Sequence, residues 1–387
     1  MKSIELFAGA GGLGIGLHQA GFTPVSVIEW DSYCCDTIRE NQKSRVSFVK
    51  SWPLIEGDVR DVNFEKYQRK IVLVSGGPPC QPFSLGGKHK AYSDARDMFP
   101  QAIRVVRESQ PKAFIFENVK GLTSATFRNY FEYIRLQLEH PELTCIKNED
   151  WESHLKRLER HQTIGLFSGL RYNVVTRVIN AANYGVPQKR ERVFFVGFRD
   201  DLGVEWNFPQ ETHSLDALVW AQVNDQTYWD KHKVARKQRI VSPRITLRAK
   251  SLKEIPDTMP WVTVRDAIAG LPDPEKDIEA SLQFFNHTFQ PGARSYLGHT
   301  GSMLDEPAKT LKAGVHGVPG GENMLALPNG KVRYFTVRES ARLQTFPDNY
   351  VFHGSWGETM RQLGNAVPVQ LANLVGKDVA RHIKEVA

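Results

Sequence analysis

A single cysteine stands among three prolines in the stretch SGGPPCQPFS, which spans residues 75–84. This residue, Cys80, follows two glycines and the apolar run of residues 71–74. A structural cysteine packs as a small hydrophobe inside a helix or strand, whereas prolines on both sides fix the backbone and interrupt either element. The stretch therefore favours a thiol presented for nucleophilic chemistry, and a rigid turn without chemistry is the alternative.

Glu117 and Asn118 end another apolar run, AFIFENV. Desolvation on one side favours the neutral form of a carboxyl, so Glu117 is expected to hold a proton near neutrality and to act as an acid. Two arginines, Arg190 and Arg192, alternate in QKRERVFFVGF, and both guanidinium groups are expected on one face where a strand begins. Solvated edge arginines are the alternative, but a strand that is apolar on both faces favours buried partners such as a substrate or a phosphate.

The stretch ELFAGAGGLGIG has the glycine spacing of a nucleotide-binding turn at Gly9, Gly11 and Gly14, between a predicted strand and a predicted helix. Glu29 ends the next predicted strand, where an acid can accept hydrogen bonds from ribose hydroxyls, and Trp30 beside it can stack on an adenine. This pattern favours a cofactor that contains adenosine, but it does not separate a nicotinamide dinucleotide from S-adenosylmethionine. A packing turn with a chance acid is the alternative.

A third predicted strand ends before EGDVR. There Asp58 can accept a hydrogen bond from an adenine amino group, and the backbone of Val59 can serve the ring nitrogen. Aspartate is also frequent as a helix N-cap, so a cap is the alternative for Asp58.

Short β-rich runs that alternate with helical patterns must position these residues. The strand runs are SIELF, TPVSVIE, KIVLVSGG, AFIFENV, YNVVTRVI and RVFFVGF, and residues 97–108 can form one of the helices. This alternation predicts an α/β fold with a doubly wound, mostly parallel sheet. Such sheets bind ligands at the carboxyl ends of their strands, and the candidate residues follow strands in the sequence.

The chain of 387 residues is long enough for one large and one smaller domain. Its composition, 41% hydrophobic and 24% charged, is that of a globular protein, and no apolar run reaches the length of a membrane span. No signal-peptide pattern is present, so the chain is expected inside the cell with reduced thiols. The four cysteines lack zinc-ligand spacing, and no metal is predicted.

The net charge of +7 suggests an anionic partner such as nucleic acid. Nine lysines and arginines against one aspartate occur in residues 228–253, an expected phosphate-binding surface that includes Arg236 and Lys237, although a solvated face is the alternative. Residues 285–321 are rich in glycine, threonine and histidine and lack apolar periodicity, as expected of loops that read base edges. The candidate readers are Arg294, Tyr296, His299, Lys312 and His316.

Two further segments are expected to be helical. Trp151, Leu155 and Leu158 have helical spacing inside an insertion of residues 133–165, which favours an amphipathic helix packed on the outside. Residues 361–386 are expected to begin with a turn and to continue as an amphipathic helix.

Eight motifs along the chain occur in the order found in one enzyme family. They are ELFAGAGG, IEWD, GDV, GGPPCQPFS, FENV, QKRERV, RESARLQTFP and QLGNAVP. With these motifs the chain resembles the C5-cytosine DNA methyltransferases of the bacterial type. The departures are Glu5 where an aspartate is usual, Ala366 where a serine is frequent, and a longer stretch between Asn118 and Gln188.

The resemblance implies a Rossmann-like domain dependent on S-adenosyl-L-methionine and a second, smaller DNA-recognition domain. The catalytic and cofactor-binding domain would comprise residues 1–203 and 358–387, the target-recognition domain residues 204–332, and a supporting hinge residues 333–357. S-adenosyl-L-homocysteine would be the cofactor product. The implied cofactor contacts are Phe7, Gly9, Gly11, Gly12, Glu29, Trp30, Asp58, Val59, Pro79, Met98, Asn365, Ala366 and Val367.

In the chemistry that the resemblance implies, a thiolate adds to C6 of cytosine, because C5 alone is too poor a nucleophile to take a methyl group. Cys80 would be this thiolate, Glu117 would donate a proton to N3, and Asn118 would orient Glu117. Arg192 would bond O2, and Arg190 would hold a backbone phosphate or position the thiolate. The base must leave the duplex, since C6 is inaccessible there. Further implied DNA contacts are Gln81, Ser84, Lys88, Lys90 and Arg96.

The expected partner is double-stranded DNA, and the protein is expected to be a cytoplasmic monomer without membrane or metal partners. A nicotinamide oxidoreductase would use the glycine turn but would give no role to Cys80, Glu117 and the arginines. A DNA-binding module without activity would not need the thiol and the acid. The tRNA-modifying branch of the same family is the remaining alternative, and the long basic second half of the chain disfavours it.

Overall fold

The computed structural model describes residues 1–79, 97–165, 169–314 and 323–386. The chain divides into two units, each with its own interior. Unit 1 consists of Met1–Ile179, Glu191–Pro209 and Ala372–Ala387. Unit 2 consists of Asn180–Arg190 and Gln210–Leu371.

Strands and helices alternate in the first half of the chain and become short in the second. The strands are β1 (Lys2–Leu6), β2 (Thr23–Glu29), β3 (Leu54–Glu56), β4 (Leu73–Gly76), β5 (Ala113–Val119), β6 (Tyr172–Asn180), β7 (Gln188–Lys189), β8 (Glu191–Arg199), β9 (His213–Ser214), β10 (Met259–Pro260), β11 (Ser302–Met303), β12 (Ala308–Lys309), β13 (Met324–Ala326) and β14 (Val332–Tyr334). The α-helices are α1 (Gly12–Gln19), α2 (Ser32–Lys43), α3 (Phe99–Ser109), α4 (Arg128–Glu139), α5 (Trp151–Ile164), α6 (Leu215–Val219), α7 (Thr227–Lys231), α8 (Pro243–Ser251), α9 (Val264–Ala267), α10 (Ile278–Ser281), α11 (Val337–Leu343), α12 (Trp356–Asn365) and α13 (Val369–Glu385).

The central sheet of unit 1 has seven strands in the order β3-β2-β1-β4-β5-β8-β6. Neighbouring strands from β3 to β5 are parallel, and β8 runs antiparallel to β5. Every residue of β4 is buried, as are the first six of β5, which explains why both strands read as continuous apolar runs. The predicted mostly parallel α/β fold is confirmed.

Close packing holds the elements that carry the candidate residues. β1 and β4 approach so closely that a Cβ at Gly76 would lie 2.5 Å from the carbonyl oxygen of Leu6. Phe99, the first residue of α3, is fully buried and packs edge-on against Phe195 of β8, with 5.6 Å between ring centroids. The helix that follows the Cys80 segment is therefore fixed to the central sheet.

The insertion helix is confirmed, because α5 has an Asp150 N-cap and buries Leu155 and Leu158. The helix expected within residues 361–386 is confirmed as α13. The turn expected at the start of that segment is wrong, since α12 already covers residue 361 and continues to Asn365. Met360 and Leu363, three residues apart, face the interior of unit 2 and support this helix. Among the described residues, no helix combines the length and the apolar character needed to cross a membrane.

Unit 2 lacks the strand–helix alternation, as the sequence predicts beyond residue 201. It contains a three-stranded sheet in the order β11-β13-β14 and the two-stranded pairs β10-β9 and β12-β7. A small core forms around the buried Trp229, together with Leu218, Ala221, Tyr228 and Val234.

The units do not coincide with the predicted domain bounds. Residues 180–190 and 358–371, which the sequence assigns to the catalytic domain, belong to unit 2. For residues 180–190 the reason is long-range pairing, because Gln188 pairs with Ala308 in a short parallel ladder and also accepts a hydrogen bond from the backbone of Leu311. The assignment of functions to domains remains a prediction.

Candidate active site

The candidate residues of unit 1 lie at one edge of its central sheet. The parallel strands end there at Leu6, Glu29, Glu56, Gly76 and Val119. β8 begins at the same edge because it runs antiparallel to β5, with Arg192 opposite Val119. The carboxyl ends of strands in such a sheet are where ligands bind, so this edge is the candidate active site.

The turn after β1 has a left-handed backbone at Phe7, Gly9 and Gly11, with φ values of 52°, 54° and 88°. A Cβ at Gly9 would meet no atom within 4 Å, so the turn is open on that side and a ligand can approach its backbone. A Cβ at Gly14 would lie 2.7 Å from the Trp52 ring, so this glycine serves packing instead. α1 starts at Gly12, directly after the open turn.

Glu29 joins the end of β2 to the glycine turn. Its Oε2 accepts a hydrogen bond from Gly9 N at 2.6 Å, and its Oε1 accepts from the backbone N of Trp30 at 2.9 Å and of Asp31 at 2.8 Å. Burial raises the pKa of Glu29, and these backbone hydrogen bonds oppose that rise. A carboxylate has about four acceptor positions, so one remains for a ligand. The Trp30 ring beside it is 72% exposed, as a stacking platform requires.

Asp58 caps the short 3-10 turn that follows β3. Its carboxylate accepts a hydrogen bond from Arg60 N at 2.9 Å and forms a bidentate ion pair with the Arg60 guanidinium. The hydrogen bond from that guanidinium lowers the pKa of Asp58. The capping alternative thus describes what Asp58 does in unit 1, and its contact with adenine remains a prediction. Val59, the next residue, is buried.

Two hydrogen bonds fix the backbone directly before Cys80. Asn118 Nδ2 donates to the carbonyl oxygen of Pro78 at 2.8 Å, and Met98 N donates to that of Pro79 at 3.0 Å. The second bond joins the two ends of the segment that contains Cys80. Seven predicted site residues lie outside the described residues, namely Cys80, Gln81, Ser84, Lys88, Lys90, Arg96 and His316.

A hydrogen bond between Tyr130 and Asp97 further fixes the backbone next to the segment that contains Cys80. The sequence analysis missed both residues. The hydroxyl of Tyr130 donates to the carboxylate of Asp97, which also accepts a hydrogen bond from Phe99 N at 3.2 Å. Both Asp97 and Tyr130 are buried. They are 33 residues apart in the chain and share no motif, so only their contact in three dimensions identifies the pair.

Glu117 and Arg192 form a buried ion pair, with 2.8 Å between Arg192 Nε and Glu117 Oε1. The register explains it, because Arg192 lies opposite Val119 and therefore projects from the same face as Glu117. Burial lowers the pKa of Arg192, and the charge of Glu117 opposes that shift. A neighbouring guanidinium favours a charged carboxylate, an effect that the prediction from burial alone did not include. Gly77 lets the backbone approach Glu117, since a Cβ there would lie 3.3 Å from Oε2.

Arg190 does not share this contact, contrary to the expectation that both arginines face one site. It lies between β7 and β8, has no exposed surface, and belongs to unit 2. Its guanidinium donates to the carbonyl oxygens of Leu311 at 3.2 Å and Gly364 at 2.7 Å. The two roles that the resemblance implies for Arg190, holding a backbone phosphate or positioning the thiolate, both stay predictions.

The sequence of the chain matches the family model described as C-5 cytosine-specific DNA methylase over residues 1–142 and 152–381. The chain belongs to this family. It is accordingly a DNA (cytosine-5-)-methyltransferase, and the edge of the unit 1 sheet is the candidate active site of a methylase.

Relatives of the methylase match over nearly its whole length. The Type II methyltransferase M.PspPI of Psychrobacter sp. is 32% identical, over 98% of this chain and 78% of that protein. M.NgoMIV of Neisseria gonorrhoeae, another Type II methyltransferase, is 30% identical over 99% of this chain and 98% of its own. A crystal structure described as a DNA modification methyltransferase from an Escherichia coli prophage covers 99% of both chains with a TM-score of 0.60 and 22% identity, and it supports the fold alone.

The described DNA-binding candidates of the methylase lie on the surface of unit 2. Arg236 and Lys237 are exposed in a short 3-10 turn, and Arg294 and Lys312 are exposed in irregular segments. The rings of Tyr296 and His299 stack on each other with 4.3 Å between centroids. These positions are accessible to DNA, and each contact remains a prediction.

The C-terminal cofactor candidates lie at the end of α12 in unit 2, with Asn365 as its last residue and Ala366 and Val367 directly after it. Asn365 is exposed, whereas Ala366 and Val367 are buried. Gln344, in a motif that the sequence assigns to domain support, donates to the carbonyl oxygens of Leu363 at 2.5 Å and Ala366 at 3.3 Å. The Gln344 side chain therefore fixes the backbone of this segment. The cofactor contacts of Asn365, Ala366 and Val367 remain a prediction.

One group with metal-ligand chemistry occurs among the described residues, formed by Cys145, Glu149 and His154 near the start of α5. Cys145 Sγ lies 2.9 Å from His154 Nδ1, a hydrogen-bond distance, and the other ring nitrogen of His154 is 2.8 Å from Leu143 O. Both oxygens of Glu149 accept hydrogen bonds from Arg157. These contacts describe a hydrogen-bonded support of α5, and the predicted absence of a metal remains a prediction.

Proposed function

We propose that this methylase transfers a methyl group from S-adenosylmethionine to C5 of a cytosine swung out of a specific duplex DNA site. The DNA substrate and the reaction follow from the family, whereas the cofactor and the covalent route through Cys80 are proposed. One observation carries the route: Asn118 and Met98 hold the backbone directly before Cys80, at the strand end next to the Glu117–Arg192 pair.

The edge between the glycine turn and β2 fits S-adenosylmethionine. The backbone at Gly9 is open, Glu29 retains an acceptor position for ribose hydroxyls, and the exposed Trp30 ring offers a face for adenine. When bound, this cofactor would supply an electrophilic methyl group. Phe7, Asp58 and Val59 would complete its pocket on the side of unit 1.

The residues around Glu117 would activate the base. The Cys80 thiolate adds to C6, and negative charge develops on N3 and O2. The arriving base takes the place of the ion-pair contact between these side chains. Arg192 bonds O2, and Glu117, which takes up a proton from water once the guanidinium has left it, donates that proton to N3. After methyl transfer the C5 proton leaves to a base, and Cys80 departs by β-elimination.

Unit 2 would bind and read the DNA. Its exposed lysines and arginines suit phosphate binding, and residues 285–321 would select the site. The relatives named as Type II methyltransferases support a place in a restriction–modification system of a bacterial cytoplasm. We propose that the enzyme acts as a monomer and without a metal.

The deciding experiment incubates the purified protein with methyl-labelled S-adenosylmethionine and either duplex DNA or tRNA. Label should enter DNA alone, and bisulfite sequencing should place it at cytosines in one short sequence. Label in tRNA alone would favour the tRNA-modifying branch. No transfer to either nucleic acid would contradict the proposal.

A further inference from the structure

Cys145, Glu149 and His154 lie near the start of α5 in unit 1, and their ligand atoms all lie within 4.8 Å of one another. Their spacing in the sequence, C-x3-E-x4-H, is not a usual zinc pattern, so the sequence analysis predicts no metal. The family match covers residues 1–142 and 152–381, which leaves Cys145 and Glu149 in a segment outside it. The cluster is therefore a feature of this chain that the family match does not include.

The imidazole of His154 is oriented as in a metal site. Its Nε2 lies 2.8 Å from the carbonyl oxygen of Leu143, which can only accept a hydrogen bond, so Nε2 carries a proton. Burial lowers the pKa of His154, which favours the neutral ring and leaves Nδ1 as an acceptor, 2.9 Å from Cys145 Sγ. Histidines that bind metals almost always donate their other ring N–H to a carbonyl, a carboxylate or water. The ring is thus held in the tautomer that binds a metal through Nδ1.

Glu149 keeps an acceptor position for an ion. Its Oε2 accepts hydrogen bonds from Ile146 N at 3.0 Å and from Arg157 Nη2 at 2.7 Å. Its Oε1 accepts one bond from a described residue, from Arg157 Nε at 2.8 Å. A carboxylate has about four acceptor positions, so one remains on Oε1. Arg157 therefore fixes the carboxylate and still leaves it able to bind a metal.

The loop before α5 gives an ion access to these ligands, because residues 144–148 are exposed. Tetrahedral zinc with bonds of about 2.3 Å to sulfur and about 2.0 Å to nitrogen separates these two atoms by about 3.5 Å. The distance of 2.9 Å between Cys145 Sγ and His154 Nδ1 is shorter, so the thiol must move outward by about half an ångström to admit the ion. An exposed loop can make this movement without disturbing a core.

We propose that Cys145, Glu149 and His154 bind Zn²⁺, an ion that accepts sulfur, nitrogen and oxygen ligands together. On binding, Cys145 Sγ loses its proton to water and bonds the metal, and water takes the fourth position. The hydroxyl of Tyr133, which lies 2.9 Å from Nδ1 and 3.4 Å from Sγ, can then donate to the bound thiolate. The ion would tie the loop to α5. It takes no part in methyl transfer, because none of its ligands belongs to the strand ends of the candidate active site.

The test adds Co²⁺ to reduced, metal-free protein, because cobalt reports a thiolate ligand by a charge-transfer absorption and a tetrahedral site by its visible bands. Wild type should bind one Co²⁺ per chain with both signals, and Zn²⁺ should displace it. Cys145→Ser should lose the charge-transfer band. Glu149→Gln should bind Co²⁺ at least about tenfold more weakly, since even residues behind a ligand contribute that much.

Glu152→Gln is the matched control for Glu149→Gln, because Glu152 is exposed in the first turn of α5 and lies outside the cluster. Its affinity for Co²⁺ should equal that of wild type. A second readout is thermal unfolding. Excess Zn²⁺ should raise the melting temperature of wild type and of Glu152→Gln by a few degrees, because it binds the folded state, and should leave that of Cys145→Ser unchanged.

Another thiol must be excluded as the cobalt ligand. Cys34 and Cys35 are buried, so Cys80 is the thiol to test. Cys80→Ser should keep the charge-transfer band at full intensity, whereas Cys145→Ser loses it.

Four results would overturn the zinc site. They are a wild type without the charge-transfer band, a band that Cys145→Ser retains, a band that Cys80→Ser abolishes, and equal affinities of Glu149→Gln and Glu152→Gln for Co²⁺. These outcomes do not depend on the proposed function, which the methylation of DNA tests separately.

Discussion

Cys80 carries the covalent part of the mechanism at the scale of single residues. Cys80→Ala should abolish methyl transfer and leave cofactor and DNA binding nearly unchanged, because addition to C6 has no substitute nucleophile. With 5-fluorocytosine at the target, wild type should be trapped as a covalent complex, since fluorine cannot leave as a cation, and the variant should not. Denaturing gels and mass spectrometry of the adduct measure this. Turnover by the alanine variant would exclude the route.

Glu29 should bind the ribose of the cofactor. Glu29→Ala should weaken S-adenosylmethionine binding by about ten- to hundredfold, because it removes a charged hydrogen-bond acceptor, and should change DNA affinity little. Calorimetry measures the first effect and filter binding the second. Glu29 also accepts a hydrogen bond from Gly9 N in the glycine turn. The melting temperature of the variant must therefore be measured beside both affinities, to separate lost binding from lost stability. Glu56→Gln, at the end of β3, is the control. Unchanged cofactor affinity in Glu29→Ala would remove this residue from the site.

Glu5 gives unit 1 a pH-dependent stability. Burial raises the pKa of Glu5 from 4.5 to about 8, and its hydrogen bond with Ser75 opposes that rise. The folded state thus keeps a proton that the unfolded state releases, so the contribution is complete below pH 4.5 and is lost as pH rises to about 8. Glu5→Gln should remove this dependence and melt higher than wild type above pH 8. Melting curves that stay parallel from pH 5 to pH 9 would contradict it.

At the scale of elements, the Asp97–Tyr130 pair should stabilise the backbone that flanks the segment containing Cys80. Tyr130→Phe removes a buried hydrogen bond to a carboxylate and should cost about 1–3 kcal/mol in the free energy of unfolding. It should also lower kcat more than cofactor affinity, because Asp97 directly precedes Met98, whose backbone N donates a hydrogen bond to the carbonyl oxygen of Pro79, the residue before Cys80.

Tyr67→Phe is the control, since the structure gives the Tyr67 hydroxyl no hydrogen bond to a described residue. Denaturant unfolding and single-turnover methylation measure the two effects. A Tyr130→Phe enzyme with wild-type kcat and stability would show that the pair is dispensable.

The sequence predicts the strands of the sheet better than it predicts the direction of individual side chains. β1, β2 and β5 lie within one residue of the runs that predict them, because buried parallel strands are apolar and their turns carry glycine. The direction of Arg190 was not predictable, since alternation assumes one continuous strand. The chain instead breaks between β7 and β8, which join different sheets.

At the scale of the whole molecule, the residues that provide charge-based affinity for DNA should be different from those that set the methylated sequence. Residues 228–253 form the basic stretch. In it, Lys233, Arg236 and Lys237 are exposed and have no ion-pair partner among the described residues, whereas Arg239 pairs with Asp230. Neutralising the three should weaken binding to every duplex and flatten its salt dependence, by about 0.9 in the log–log slope for each phosphate that these side chains no longer bind. The methylated sequence should not change.

The control for this triple variant neutralises Lys2, Lys43 and Lys66, which are exposed in unit 1 and carry the same total charge. Binding isotherms at several salt concentrations measure the slope, and bisulfite sequencing measures the preference. An altered methylated sequence with an unchanged salt slope would assign specificity to the basic stretch instead.

The sequence by itself determined the fold class, the family and the order of the motifs. These are local properties, carried by apolar runs, glycine turns and the proline-flanked cysteine. Only the tertiary structure decided which side chains meet. Arg192 pairs with Glu117 through the antiparallel register of β5 and β8, and Asn118 holds Pro78. Partners 40 to 75 residues apart meet through strand register and packing, which local sequence patterns do not specify.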